Sequence, residues 1–367
     1  MNHNIKEFLK IILLFIVLLN GEIVMAQTYQ FVSASHPYIQ YFGRWDMRDS
    51  NRYYHLWPGV YWQANFNGTS IGVRMADSVN YYNVYIDGKL HSVFHGTRSG
   101  EADTILAENL ESGAHTIRLS KRNIVFDAIF SFSGFLLPSN GKLLPPSEKP
   151  KRKIEFVGNS FTVAESNEAT VQELPWEERY PVTNTDKGFA AMIARYYNAQ
   201  YHITARSGSG MVCDWSGDTM RTIPAIFDRT LMEAPEPVWD FSRWIPDVVV
   251  VCLGLNDYSG LHDSAGNVSE EKSRFFREGY HTFLSRLRRV YPQVKFIAVA
   301  AFPAWIRQNV KQIVDEECAQ ENSDVIYATF DEFPGGYVAN GHPTVATHEK
   351  MAKQIIEAME QEKFFND

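Results

Sequence analysis

The spacing of apolar and polar positions changes character once along the chain, near residue 150. From about 28 to 147, short apolar runs are punctuated by turn residues. VYWQANFNGTSIGVRM carries Asn67 and Gly68 between two strand-like runs, and NYYNVYIDGKLHSVF carries Asp87 and Gly88 in the same way. Both dipeptides tolerate the positive φ angles of tight two-residue turns, so the spacing predicts two β-hairpins. HTIRLS and VFDAIFSFSGFLL add further strands. Many short strands with frequent turns predict an all-β sandwich of jelly-roll type over 28–147.

LLPPSEKPKRK, rich in proline and charge, then marks a boundary. Beyond it, short apolar strands alternate with amphipathic helices. IEFVG, QYHITAR, PDVVVVCLG, KFIAVAAF and VIYATF read as strands. KGFAAMIARYYNA, SRFFREGYHTFLSRLRRVY and HEKMAKQIIEAMEQ read as helices. The fully apolar, β-branched DVVVVCL is what a buried parallel strand requires. This alternation predicts an α/β fold over 148–367, a parallel sheet flanked by helices. Ligands in such folds sit at the carboxyl ends of the strands.

Residues 1–26 have a pattern of their own. Lys6 and Lys10 precede an apolar run over 11–19, and Val24, Met25 and Ala26 resemble a small-residue cleavage site. That is the pattern of a signal peptide, with an uncleaved N-terminal anchor as the alternative, and the run is short for a transmembrane span. The chain is therefore expected to be exported, periplasmic or extracellular, with no membrane contact once the leader is removed.

Composition sharpens the picture in three respects. The 367 residues exceed a usual single core, in keeping with two domains. The formal net charge is -8 with no basic block, which argues against nucleic acid as a partner. Aromatics make up 14% of the chain; a β-rich core uses many, and exposed ones stack well on sugar rings. The three cysteines, Cys213, Cys252 and Cys318, form no disulfide framework. With no CxxC or HExxH, a cysteine- or HExxH-type zinc site is not expected.

Four loops carry candidate chemistry. VGNS, at 157–160, follows the strand IEF; Ser160 behind a glycine can present its hydroxyl from a tight strand-to-helix turn. ARSGSGM holds Gly208 and Gly210 after QYHITA, where the backbone can approach a ligand closely. GLND places Asn256 at the end of DVVVVCL, where its amide can donate to a developing oxyanion. NGHPTVATHEKMA places His342 just before the last helix. Taken singly, each is also an ordinary cap, turn or surface residue.

In this order, Gly-Asn-Ser, a glycine loop, Gly-x-Asn-Asp and a C-terminal His-Pro resemble the SGNH/GDSL hydrolase superfamily over about 152–362. The resemblance implies Ser160 as nucleophile and His342 as its base. It implies an oxyanion hole from Ser160, Gly208 and Asn256, with Gly210 competing for the second position. The serine–histidine chemistry implied by the resemblance calls for no metal or cofactor. A β-domain ahead of such a fold, with FNGTSIGVRM and YNVYIDGK, resembles carbohydrate esterase family 2, the acetyl xylan esterases. The implied activity is removal of O-acetyl groups from plant polysaccharides such as acetylated xylan. Two alternatives stay open: an esterase or lipase for other small acyl groups, and a carbohydrate-binding protein without catalysis. The segment 166–182, with Trp176 and Tyr180, reads equally as a substrate lip or as packing.

The chain departs from the superfamily in two places. Gly-Asn-Ser replaces the commoner Gly-Asp-Ser. Ala339 stands three residues before His342, where an aspartate often sits. The nearest upstream acids are Asp331 and Glu332. A backbone carbonyl over 339–341 is the expected partner of the imidazole Nδ1–H, and an acid folded back from 331–332 is the alternative.

Overall fold

The computed structural model describes residues 28–365 except 97, 127 and 321–323. The expected leader at 1–26 lies outside the described residues. Every strand from Tyr29 to Leu144 belongs to one of two six-stranded sheets, and every pairing in them is antiparallel. In the first, Phe130–Pro138 is central, between Arg52–His55 and Ile71–Asp77, and all nine of its residues are buried. In the second, Ala114–Lys121 lies between Tyr61–Asn67 and Tyr81–Ile86. The facing sides enclose an aromatic core around Trp45, Trp62, Tyr82 and Phe132.

One of the two expected hairpins forms. Asp87 and Gly88 both take positive φ, 51° and 75°, and Ile86 pairs with Lys89 across the turn. The other does not. Tyr61–Asn67 and Ile71–Asp77 are strands, but they lie in different sheets. Asn67 is not in the left-handed region that a type I′ turn needs, and it ends its strand paired with Ala114 and Lys142. Gly68 at φ 150° then carries the chain across the sandwich instead of back along it.

The second half is a five-stranded parallel sheet. Its spatial order is Ala199–Ala205, Arg152–Gly158, Val248–Cys252, Lys295–Ala300 and Val325–Thr329. Strand order reverses beside Arg152–Gly158, the position where open α/β sheets open a crevice at their carboxyl edge. Helices Phe189–Tyr196, Glu270–Val290, Ala304–Ala319 and Val345–Gln361 flank it. Ala304–Ala319, which the sequence pattern did not single out, carries a weaker apolar stripe: Ile306, Val310, Ile313 and Val314 are buried, but so are Asn309 and Glu317.

The edge strand Ala199–Ala205 is buried at all seven positions, because the sandwich packs against it. Tyr61 lies 4.8 Å from Tyr201 between ring centroids, and the Arg118 guanidinium sits 4.5 Å above the Tyr61 ring. Gly59 has φ 65°, and a Cβ there would come within 2.8 Å of Ile203 Cδ1. Arg44 reaches across from the sandwich. It donates to Glu155 at 3.0 Å and to the carbonyls of Phe227 and Arg229, and its guanidinium is 4.9 Å from the Phe227 ring centroid. Both members of the Arg44–Glu155 pair are buried. The three cysteines are free; Cys213 and Cys252 are buried and Cys318 is exposed. No helix among the described residues is long and apolar enough to cross a membrane.

Candidate active site

The strand Arg152–Gly158 delivers its chain directly into the one-turn helix Ser160–Val163. Gly158 is required by close approach. A Cβ there would lie 2.0 Å from Thr162 Oγ1 and 3.1 Å from the carbonyl oxygen of Cys252. Asn159 caps the turn, its side-chain oxygen accepting the Phe161 N–H at 3.1 Å. Asparagine thus does in this position the capping an aspartate would do. Ser160 is the part-exposed residue at the head of a buried turn, since Phe161, Thr162 and Val163 are all buried. Ala164 ends the helix in the left-handed region at φ 60°, and the Glu165 N–H returns to the Ser160 carbonyl at 3.0 Å.

The glycine loop and the Gly-x-Asn-Asp loop hold each other. Asp257 is fully buried and accepts the N–H groups of Met211 at 2.9 Å, Val212 at 2.7 Å and Cys213 at 3.3 Å. Burial pushes its carboxyl up to about 6, against the opposing pull of those N–H groups. The Asn256 side-chain amide donates to the Ser209 carbonyl at 2.9 Å. Gly208 takes φ 81°, and its carbonyl accepts the Trp215 N–H at 3.1 Å. Gly210 is packed beneath, where a Cβ would lie 2.5 Å from Asp257 Oδ2.

His342 sits in a two-residue strand paired with Tyr337–Val338. Ala339, Asn340 and Gly341 all have positive φ, which closes the turn between them. The turn is fixed from outside: Ala339 N donates to Val171 O at 2.8 Å, and Leu174 N donates to Asn340 Oδ1 at 3.2 Å. The result is a 2.8 Å contact between His342 Nδ1 and the Ala339 carbonyl. A carbonyl only accepts, so Nδ1 carries the proton in the neutral ring and Nε2 is left with its lone pair. Neither upstream acid reaches the ring. Asp331 accepts from Gln354, and Glu332 is exposed, 3.9 Å from Arg307.

Ser160, Gly208, Asn256 and His342 line one cleft of about 860 Å³; Gly210 is not among its lining residues. The sandwich contributes Phe126 to the wall, stacked on Trp176 at 5.0 Å with 11° between planes. The 166–182 segment divides: Trp176 and Arg179 line the cleft, while Tyr180 packs edge-on against Trp176. Trp215 is 64% exposed and lines the same cleft. Among the described residues no group of three or more His, Cys, Asp or Glu is placed to hold a metal ion.

The sequence pattern missed Glu165. Its Oε1 lies 3.8 Å from His342 Nε2 and accepts Arg179 Nη1 at 2.7 Å, with the carboxylate side chain 2% exposed. The only sequence signal is its place five residues after the serine.

Residues 41–146 match the N-terminal region of carbohydrate esterase 2. A family two carbohydrate esterase from Clostridium thermocellum, solved in complex with cellohexaose, superposes over 89% of this chain and 100% of its own, at a TM-score of 0.79 and 28% identity. The chain thus resembles carbohydrate esterase family 2 over both halves. The cellulase/esterase CelE of Acetivibrio thermocellus is 31% identical over 90% of this chain. An acetylxylan esterase / glucomannan deacetylase of Cellvibrio japonicus is 32% identical over 58% of it. The chain spans 40% and 58% of the lengths of these two curated relatives. The family 2 fold accounts for both halves, an antiparallel all-β region followed by a parallel sheet with flanking helices.

Proposed function

We propose that this chain is an exported serine esterase of carbohydrate esterase family 2 that removes O-acetyl groups from plant polysaccharides such as acetylated xylan or glucomannan. The observation that carries the reading is the single cleft shared by Ser160, Gly208, Asn256 and His342, with the imidazole fixed through Nδ1. His342 Nε2 takes the Ser160 proton as Oγ attacks the acetyl carbonyl carbon. The carbonyl oxygen becomes an oxyanion, stabilised by the N–H groups of Ser160 and Gly208 and by the Asn256 side-chain amide. The imidazolium returns the proton to the sugar oxygen as that bond breaks. Water, activated by the same nitrogen, releases acetate from Ser160. No step needs a cofactor.

The wall supports a sugar polymer as the carrier of the ester. Trp215, largely exposed along the cleft, offers a flat apolar face on which a pyranose ring can stack. The names of the relatives, acetylxylan esterase and glucomannan deacetylase, point the same way. The test is acetate release from acetylated xylan and acetylated glucomannan, run beside nitrophenyl esters of rising chain length. Acetyl should exceed butyryl and longer esters; a preference for octanoate would overturn the substrate class.

A further inference from the structure

His342 has a second neighbour besides the Ala339 carbonyl, and it stands on the side of the nitrogen that must carry the proton in the reaction. Glu165 Oε1 is 3.8 Å from His342 Nε2. Its carboxylate is almost wholly removed from water, and its main chain closes back on Ser160 O at 3.0 Å. The carboxylate is shared, because Arg179 donates to the same oxygen at 2.7 Å and to the Leu174 carbonyl at 3.0 Å.

We infer that Glu165 is a positioning residue of the esterase reaction, one that stabilises the protonated form of His342, and that Arg179 sets how much of its charge the imidazole feels. The inference rests on the Ser160–His342 reading. A carbonyl on Nδ1 fixes the tautomer but brings no net charge to the imidazolium. A carboxylate within about 4–6 Å favours the charged form of its neighbour, and low exposure strengthens the effect. The other groups facing the ring do not supply that charge. Phe161 meets it edge-on at 6.3 Å, and the buried His348 is held neutral, its pKa pushed down to about 3 by burial and then by His342 itself. The cleft's remaining charges, Arg206 with Glu233, Asp214, Arg221 and Arg229, are common to every variant compared below.

The sign for each partner is opposite, which separates this role from simple packing. Glu165→Gln removes the charge that faces His342 Nε2. The acid limb of the kcat/KM profile should move to lower pH by about one unit, with a plateau about three- to tenfold lower. Removing the cation in Arg179→Gln frees the carboxylate, so the limb should move to higher pH. Ser160→Ala and His342→Ala are measured alongside. If both controls are inactive and the two limbs move oppositely, the inference stands. If both controls are inactive but the limbs stay within 0.2 units of wild type (about the error of such a fit), or move together, Glu165 is structural only. If Ser160→Ala keeps its activity, the serine esterase reading falls and the inference with it.

Discussion

The Nδ1 atom of His342 lies 2.8 Å from the carbonyl oxygen of Ala339, the residue three positions upstream. A neutral acceptor thus occupies the place where a triad acid would hold the ring. Asp331 and Glu332 point elsewhere, to Gln354 and Arg307. Asp331→Asn and Glu332→Gln should therefore keep esterase turnover within about threefold of wild type. His342→Ala should lose about 10³-fold or more. Steady-state rates on a nitrophenyl acetate check this; a loss of several hundredfold in either acid variant would show a carboxylate at work from that loop.

Gly158 has no room for a side chain under the serine turn. Its substituent would meet Thr162 Oγ1 at 2.0 Å and Thr162 Cβ at 2.7 Å. Gly158→Ala should cost about 1–3 kcal/mol of stability and displace Ser160, lowering kcat more than it raises KM. Adding Thr162→Ala should recover only part of the loss, since the Cβ contact survives. Urea unfolding and steady-state kinetics on the single and double variants give both readings.

Asp257 pins the glycine loop through three N–H groups, and its carboxyl titrates near 6 in the folded chain against about 4 when unfolded. Between those values the folded state binds the extra proton. The contribution of this group to stability therefore falls as pH rises from about 4 to 6 and is flat above. Asp257→Asn should remove that slope. It should also lower esterase activity, because its amide –NH₂ would face a backbone N–H. Urea midpoints of both chains across pH 4 to 8 (the window bracketing both values) test the sign; a wild-type contribution that rises with pH would refute it.

Arg44 and Glu155 form a buried pair between the sandwich and the first parallel strand. Arg44→Ala strands the Glu155 charge and leaves a cavity among Trp57, Phe227, Trp239 and Phe241. The expected cost is about 3–5 kcal/mol. Replacing both, Arg44→Met with Glu155→Leu, should cost less than the single change, because no charge is left buried alone. Denaturant midpoints of the three chains decide between these outcomes.

Much of this architecture is legible in local pattern. The fully apolar run 248–253 and the amphipathic run 273–291 declare a buried strand and its covering helix through their periods alone. The Asp87-Gly88 hairpin is equally local, since the turn's own φ angles decide it. Asn67-Gly68 looks the same in sequence, yet its flanking strands pair with distant partners, so the turn crosses between sheets. The loops holding Ser160, Gly208, Asn256 and His342 stand out because each follows a strand or precedes a helix that the pattern reveals. Glu165 does not, because its approach to His342 depends on the left-handed exit at Ala164 and on a fold that joins residues 177 positions apart. The Phe126–Trp176 stack is hidden for the same reason, being a contact between the two halves.

The central claim is that Ser160 is the nucleophile of a polysaccharide deacetylase, and acetate release from acetylated xylan by Ser160→Ala tests it most directly. Ser160 is part-exposed at the head of its turn, and Thr162, the next hydroxyl along, is 1% exposed beneath it. The alanine variant should keep the wild-type urea midpoint and lose about 10³-fold or more of its acetate release. A folded Ser160→Ala protein that releases acetate within about tenfold of wild type would contradict the assignment.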